Sequence, residues 1–167
     1  IDVDDFSNAV PDDVFEKINI YDIAQSSVEM LQMTADKNNV SITVSGSTQY
    51  IYANRQMMDE LIYNLCDNAI RYNNPGGSVH VSVTKDNSDV IVEVKDNGIG
   101  ISKENQQRIF ERFYRVDKSR SKQTGGTGLG LAIVKHIVAR HENARLELES
   151  EEEKGTTIRV IFKTGNM

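Results

Sequence analysis

The sequence predicts an α+β domain, a two-layer sandwich in which a mixed, mostly antiparallel sheet packs on three helices. Three observations predict it. Short segments of strict apolar alternation recur along the chain, three longer segments carry apolar residues at helical spacing, and 38% of the 167 residues are hydrophobic, enough for one layered core. A long polar stretch between Asp96 and Gly126 interrupts this pattern.

Residues 1–12 are acidic and include Pro11, which suits an extended linker, so the folded domain is expected over residues 13–167. Phe15 to Ile20 reads as a short strand. Ile23 to Asp36 places Ile23, Ala24, Val28, Leu31 and Ala35 on one helical face, and Asn38-Asn39 ends that helix. Val40 to Val44 alternates as a strand, Gly46 turns the chain, and Tyr50 to Ala53 makes another. Asn54 then caps a helix over Met57 to Asn73. Its apolar stripe is Met57, Met58, Leu61, Ile62, Leu65, Ala69 and Ile70, closed by Pro75-Gly76-Gly77.

Ser78 to Thr84 and Val90 to Val94 flank Asn87-Ser88 as a hairpin of central strands, with Val79, Val81 and Val83 in phase. The polar stretch that follows contains one short helical piece near Gln106 to Phe113. A loop of this length inside a compact domain points to a lid. From Gly128 an apolar helix carries Leu129, Leu131, Ala132, Ile133, Val134, Ile137 and Val138, and strands follow near Arg145 to Glu149 and Thr157 to Lys163.

The formal net charge is −6 with scattered basic residues, which argues against nucleic acid as a partner. The chain starts at Ile1 and has no apolar run of membrane-spanning length, so the expectation is a soluble fragment without direct membrane contact. Any anchor lies outside it. Cys66 is the single cysteine, which excludes an intrachain disulfide, and its apolar helical setting reads as a buried thiol. His80, His136 and His141 lack metal-cluster spacing and read as structural or exposed.

Three constellations carry chemistry. Asn64 and Asn68 share one helical face beside the apolar stripe, where a buried amide needs hydrogen bonds or a ligand to offset its lost hydration. Their carbonyl oxygens suit a hard cation such as Mg; a capped or solvent-facing pair is the plainer alternative. Arg71 and Tyr72 add a phosphate-binding cation and a ring on which a purine can stack. Asp96-Asn97-Gly98-Ile99-Gly100-Ile101 sets a carboxylate before two alternating glycines, suited to the exocyclic amine of adenine and poorly suited to guanine's carbonyl, or else a plain turn. Gly125-Gly126-Thr127-Gly128-Leu129-Gly130-Leu131 runs directly into a helix, whose free N–H groups and dipole favour a phosphate. Leu131 breaks the dinucleotide fingerprint, and no Walker sequence occurs. Lys154-Gly155-Thr156-Thr157 either lends a turn to the pocket or is only a hairpin turn.

In order, these residues resemble the catalytic and ATP-binding domain of bacterial sensor histidine kinases, within the superfamily that also holds gyrase, heat-shock chaperone and mismatch-repair ATPases. The resemblance covers roughly Phe15 to Lys163. Asp59 to Tyr72 resembles the N box, Asp96 to Gly100 the first glycine box, Phe110 to Arg115 the F box, and Gly126 to Leu131 the second glycine box. The third glycine box departs from the pattern, with Glu153 in place of its first glycine and Ile158 in place of a frequent phenylalanine.

The resemblance implies a Bergerat ATP-binding fold with a mobile ATP lid. It implies that Asn68 ligates Mg, Asn64 supports the metal-phosphate site, Asp96 reads adenine with Gly98, Gly100 and Ile101 beside it, and Tyr72 flanks the base. Arg71 stands where a lysine is common. Gly126, Thr127, Gly128, Leu129, Gly130 and Leu131 would wrap the phosphates, Thr156 would belong to the nucleotide site, and Arg112, Arg115, Lys118 or Arg120 would reach phosphate from the lid. Hydrolysing relatives carry a glutamate where this chain has Asn64, and an amide is no general base near neutral pH.

The implied activity is therefore phosphoryl donation to a histidine on a helical dimerisation and phosphoacceptor domain preceding Ile1, with onward transfer to a response regulator. The implied setting is the cytoplasmic side of a membrane-anchored sensor kinase. None of the three histidines reads as the acceptor, so the isolated chain is expected not to phosphorylate itself. A serine kinase that inhibits a sigma factor shares the N box and glycine boxes but lacks the F box and linker. A nucleotide-sensing pseudokinase is the third class.

Overall fold

The computed structural model describes residues 14–110 and 130–164. Within them the chain order is β1 (Glu16–Asn19), α1 (Ile20–Lys37), β2 (Ser41–Gly46), β3 (Tyr50–Ala53), α2 (Arg55–Arg71), β4 (Ser78–Asp86), β5 (Asp89–Asp96), α3 (Lys103–Gln106), α4 (Gly130–Ala139), β6 (Ala144–Glu151) and β7 (Gly155–Lys163). The linker expected over residues 1–12, the F-box residues beyond Phe110 and most of the second glycine box lie outside the described residues.

Five strands form one sheet in the order β2-β4-β5-β7-β6, parallel between β2 and β4 and antiparallel elsewhere. β1 and β3 pair separately as an antiparallel ribbon. Alternation dictates which face is covered. Val79, Val81 and Val83 of β4, Val90, Val92 and Val94 of β5, and Ile158, Val160 and Phe162 of β7 are buried, in one core with Leu31 of α1, Leu61, Ile62 and Leu65 of α2, and Val134 and Ile137 of α4. The opposite face carries Glu93, Glu147 and Glu149 around Arg159, whose Nη2 lies 2.8 Å from Glu149 and whose Nε lies 2.9 Å from Glu93.

The boundaries shift from expectation for local reasons. α1 begins at Ile20, three residues earlier than the apolar spacing predicts, because Asn19 Oδ1 accepts a hydrogen bond from Tyr21 N–H at 3.1 Å and caps it there. The first strand is correspondingly short. Asn54 caps α2 as predicted, accepting from Met57 N–H at 2.9 Å, but α2 starts at Arg55 and closes at Arg71, before Pro75-Gly76-Gly77. A short helix lies at Lys103–Gln106, with Ser102 O accepting from Asn105 and Gln106 N–H, and residues 107–110 form turns; the rest of the piece expected over Gln106 to Phe113 lies outside the described residues. No described helix is long and apolar enough to cross a membrane.

Cys66 is buried in α2, and burial pushes its thiol up to about 12, so it stays protonated and inert. His141 is buried as well. Its Nδ1–H donates to Ile137 O at 2.8 Å, which leaves Nε2 to accept from Asn54 N–H at 3.2 Å. His80 is exposed, its ring nitrogens 2.7 Å from Thr43 Oγ1 and 2.9 Å from Ser45 Oγ.

Candidate functional site

The inward face of the sheet is apolar until its last rung. There the register aligns Val79 of β4 with Asp96 of β5, Asp96 with Thr156 of β7, and Thr156 with Ser150 of β6. Asp96 thus falls in phase with Val90, Val92 and Val94, so a carboxylate occupies a core position at the mouth of the sandwich. Burial pushes its pKa up to about 6, although two backbone donors stabilise the ionised form: Gly98 N–H at 2.9 Å and Thr156 N–H at 3.2 Å, both to Oδ1. Oδ2 has no donor among the described residues.

The glycines beside Asp96 are shaped by protein backbone. A Cβ on Gly98 would stand 2.5 Å from Tyr72 O, one on Gly100 2.0 Å from Glu151 O, and one on Gly155 2.1 Å from Asp96 O. Gly100 and Gly155 also take φ of +71° and +123°. These contacts press the Asp96 loop between the end of α2 and the turn joining β6 to β7. Ile99 N–H donates to Tyr72 O at 3.2 Å, and Glu153 N–H donates to Ile99 O at 2.6 Å. The positive φ of Glu153, +65°, belongs to that same turn.

On α2, Asn64 Nδ2 donates to Glu60 O at 2.7 Å, which turns its carbonyl oxygen outward. A Cβ on Gly130, the first residue of α4, would meet that Oδ1 at 3.3 Å. α4 therefore begins against the middle of α2. Asn68, one turn on, is half-buried, and no described residue hydrogen-bonds its amide. Arg71 Nε lies 3.0 Å from both carboxylate oxygens of Asp67, an ion pair that sequence reading did not foresee. Tyr72 is half-buried at the helix end and Leu131 is buried on α4.

Asn64, Asn68, Arg71 and Tyr72 thus share the C-terminal half of α2. Asp96, Gly98, Gly100, Ile101 and Thr156 meet beside its end, and Gly130 touches its middle. Arg112, Arg115, Lys118, Arg120, Gly126, Thr127, Gly128 and Leu129 lie outside the described residues. Ser150 was missed by sequence reading. Its hydroxyl accepts from Ile101 N–H at 2.8 Å and lies 2.7 Å from Thr156 Oγ1, and its in-phase position after Leu146 and Leu148 is the signal that reveals it. Asn73, buried beyond Tyr72, donates from Nδ2 to Ser78 O at 2.9 Å and ties α2 to β4. No group of three or more His, Cys, Asp or Glu among the described residues is arranged to hold a metal.

Known proteins resemble this chain in sequence and in fold. Residues 53–166 match the family described as histidine kinase-, DNA gyrase B-, and HSP90-like ATPase. Sensor-like histidine kinase SenX3 of Mycolicibacterium smegmatis is 41% identical over 143 residues, covering 85% of this chain and 37% of that protein. Signal transduction histidine-protein kinase ArlS of Staphylococcus haemolyticus is 34% identical over 149 residues, covering 89% of this chain and 33% of that protein. The chain spans about a third of the length of these curated relatives. Among solved structures, the mycobacterial sensor histidine kinase MprB superposes with a TM-score of 0.74 at 25% identity, over 90% of this chain and 97% of that one.

Proposed function

Because the chain belongs to the family of histidine kinase-, DNA gyrase B-, and HSP90-like ATPases, we propose that it binds Mg-ATP and donates the γ-phosphoryl group to a histidine on a separate helical dimerisation domain. Onward transfer to a response-regulator aspartate would follow. Residues 1–12 serve as the linker from that domain, and the parent is a membrane-anchored sensor whose catalytic part is cytoplasmic. One observation carries the reading: the Asn68 amide and Asp96 Oδ2, neither with a hydrogen-bond partner among the described residues, and the outward carbonyl of Asn64 against Gly130 gather around the last turns of α2.

The residues suit the ligand. Asp96 Oδ2 is a lone acceptor in a low-dielectric setting, matched to an exocyclic amine. The Asn68 carbonyl meets the oxygen preference of Mg, which when bound screens the charge of the transferring phosphate. Among the described residues nothing holds the Nη atoms of Arg71, so its charge remains available to phosphate while Asp67 orients the side chain. Asn64 offers no base to activate water, so the site positions ATP for an acceptor that arrives from elsewhere.

Nucleotide titration tests the reading. Asn68→Ala and Asp96→Ala are each expected to weaken Mg-ATP binding by about tenfold or more, as befits loss of a buried ligand partner. Unchanged affinity in both variants discards the site. Adding a histidine-bearing helical domain in trans should place acid-labile phosphate on that domain. Stable phosphate on this chain alone would discard the donor reading.

A further inference from the structure

The polar rung that ends the sheet contains a hydroxyl pair whose proton order is determined by its partners. Ser150 Oγ accepts from Ile101 N–H at 2.8 Å, lies 3.0 Å from Gly155 O and lies 2.7 Å from Thr156 Oγ1. A backbone carbonyl can only accept. The single hydroxyl proton of Ser150 therefore goes to Gly155 O, and the third contact is made only if the Thr156 hydroxyl donates to Ser150. The reverse order leaves the Gly155 contact without a proton.

With its proton committed to Ser150, Thr156 Oγ1 has only lone pairs to offer. Thr156 is also the register partner of Asp96, so both side chains stand on the same face of adjacent strands, and Thr156 N–H already holds Asp96 Oδ1. We propose that Ser150 is a specificity-positioning residue: by taking the Thr156 proton it makes the Asp96–Thr156 rung a pair of acceptors, selecting a base edge that bears an amine with two N–H groups over one that bears a carbonyl. An amino purine is favoured by two hydrogen bonds, and a keto purine meets repulsion at both oxygens. Gln106 steadies the arrangement from α3, its Nε2 donating to Ser150 O at 3.1 Å and to Ile101 O at 2.9 Å.

This inference rests on the ATP reading, and one set of titrations separates the two. Mg-ATP and Mg-GTP affinities are measured for the wild-type chain, Ser150→Ala, Ser150→Thr, Thr156→Val and Asp96→Ala. In Ser150→Ala the freed Thr156 hydroxyl can turn its proton toward a carbonyl, so the ATP-to-GTP preference should fall by about tenfold through weaker ATP and stronger GTP binding. Ser150→Thr keeps the hydroxyl and should keep the preference. Thr156→Val removes one acceptor without exposing the rung and should lower ATP affinity and the preference, which provides a reading even if Ser150→Ala does not fold. Equal loss of both nucleotides in Ser150→Ala, or an unchanged ratio in both Ser150→Ala and Thr156→Val, overturns the proposal while Asp96-dependent ATP binding persists. Absence of Asp96-dependent ATP binding in the wild-type comparison overturns the ATP reading and this proposal with it.

Discussion

At one end of the sandwich, where α2 starts and β6 begins, His141 is buried with both ring nitrogens occupied, one by Ile137 O and the other by Asn54 N–H. At the other end, where α2 finishes and β5 stops, Asp96 is partly buried with one oxygen held twice and the other without a described donor. Both are titratable groups at the rim of one core. A fully satisfied buried group closes a joint, whereas a half-satisfied one carries a desolvation cost that only a ligand can offset. On the proposed reading, the contrast separates a structural polar residue from one that takes a ligand more sharply than burial does.

The largest test of that contrast is His141→Ala. It removes two buried hydrogen bonds and the ring that packs 4.8 Å from Phe15, between centroids. A loss of about 3 kcal/mol in urea unfolding is expected, with Mg-ATP affinity unchanged in the folded fraction. A weakened affinity without lost stability would mean that the two ends are not divided as described.

The smaller and opposite test is Asp96→Asn. An amide can still accept from Gly98 and Thr156 through its oxygen but carries no charge to desolvate. At pH 7.5 the variant should be more stable than the wild type by about 1 kcal/mol, after discounting for hydration of the exposed oxygen, while nucleotide affinity falls. Lower stability in the variant would show that the ionised carboxylate is structurally satisfied after all.

How much of this was legible in the chain depended on sequence distance. The apolar alternation of Val79 to Val83 and Val90 to Val94, the stripe of α2 and its Asn54 cap are local signals, and they placed the layers and the Asn64–Asn68 face. The start of α1 was misread because Ile20 suits a strand and a helix equally, and only the Asn19 cap decides. Parallel pairing of β2 with β4 has no local signature. The His141–Asn54 bond joins residues 87 apart, and Ile101 meets Ser150 across 49, so neither partner announces the other. Gly98 and Gly100 were legible as a glycine pair following Asp96, but not the protein backbone, Tyr72 O and Glu151 O, that closes on the Cβ side of each.

The finest division between the two ends is in the sign of their pH dependence. The Asp96 carboxyl is raised by burial from an ordinary 3.8 to about 6, so between those values the folded chain holds the proton more tightly than the unfolded one. Its contribution to stability is therefore largest at low pH and is lost as pH rises through about 6. Burial, the first cause, lowers His141 below its ordinary 6.5. Here the unfolded chain takes the proton first, so the His141 contribution is complete above pH 6.5 and is lost as pH falls below it. Urea unfolding of the wild type and Asp96→Asn at pH 4.5, 5.5 and 7.5 separates the two. The stability advantage of Asp96→Asn should be full at pH 7.5 and shrink toward zero at pH 4.5, leaving the His141 slope common to both proteins. Wild-type nucleotide affinity should decline below about pH 6 as Oδ2 gains a proton, and that of Asp96→Asn should not follow. A constant advantage across all three pH values would place the Asp96 pKa near its ordinary value, and the cost assigned to its unpaired oxygen would then have to come from elsewhere.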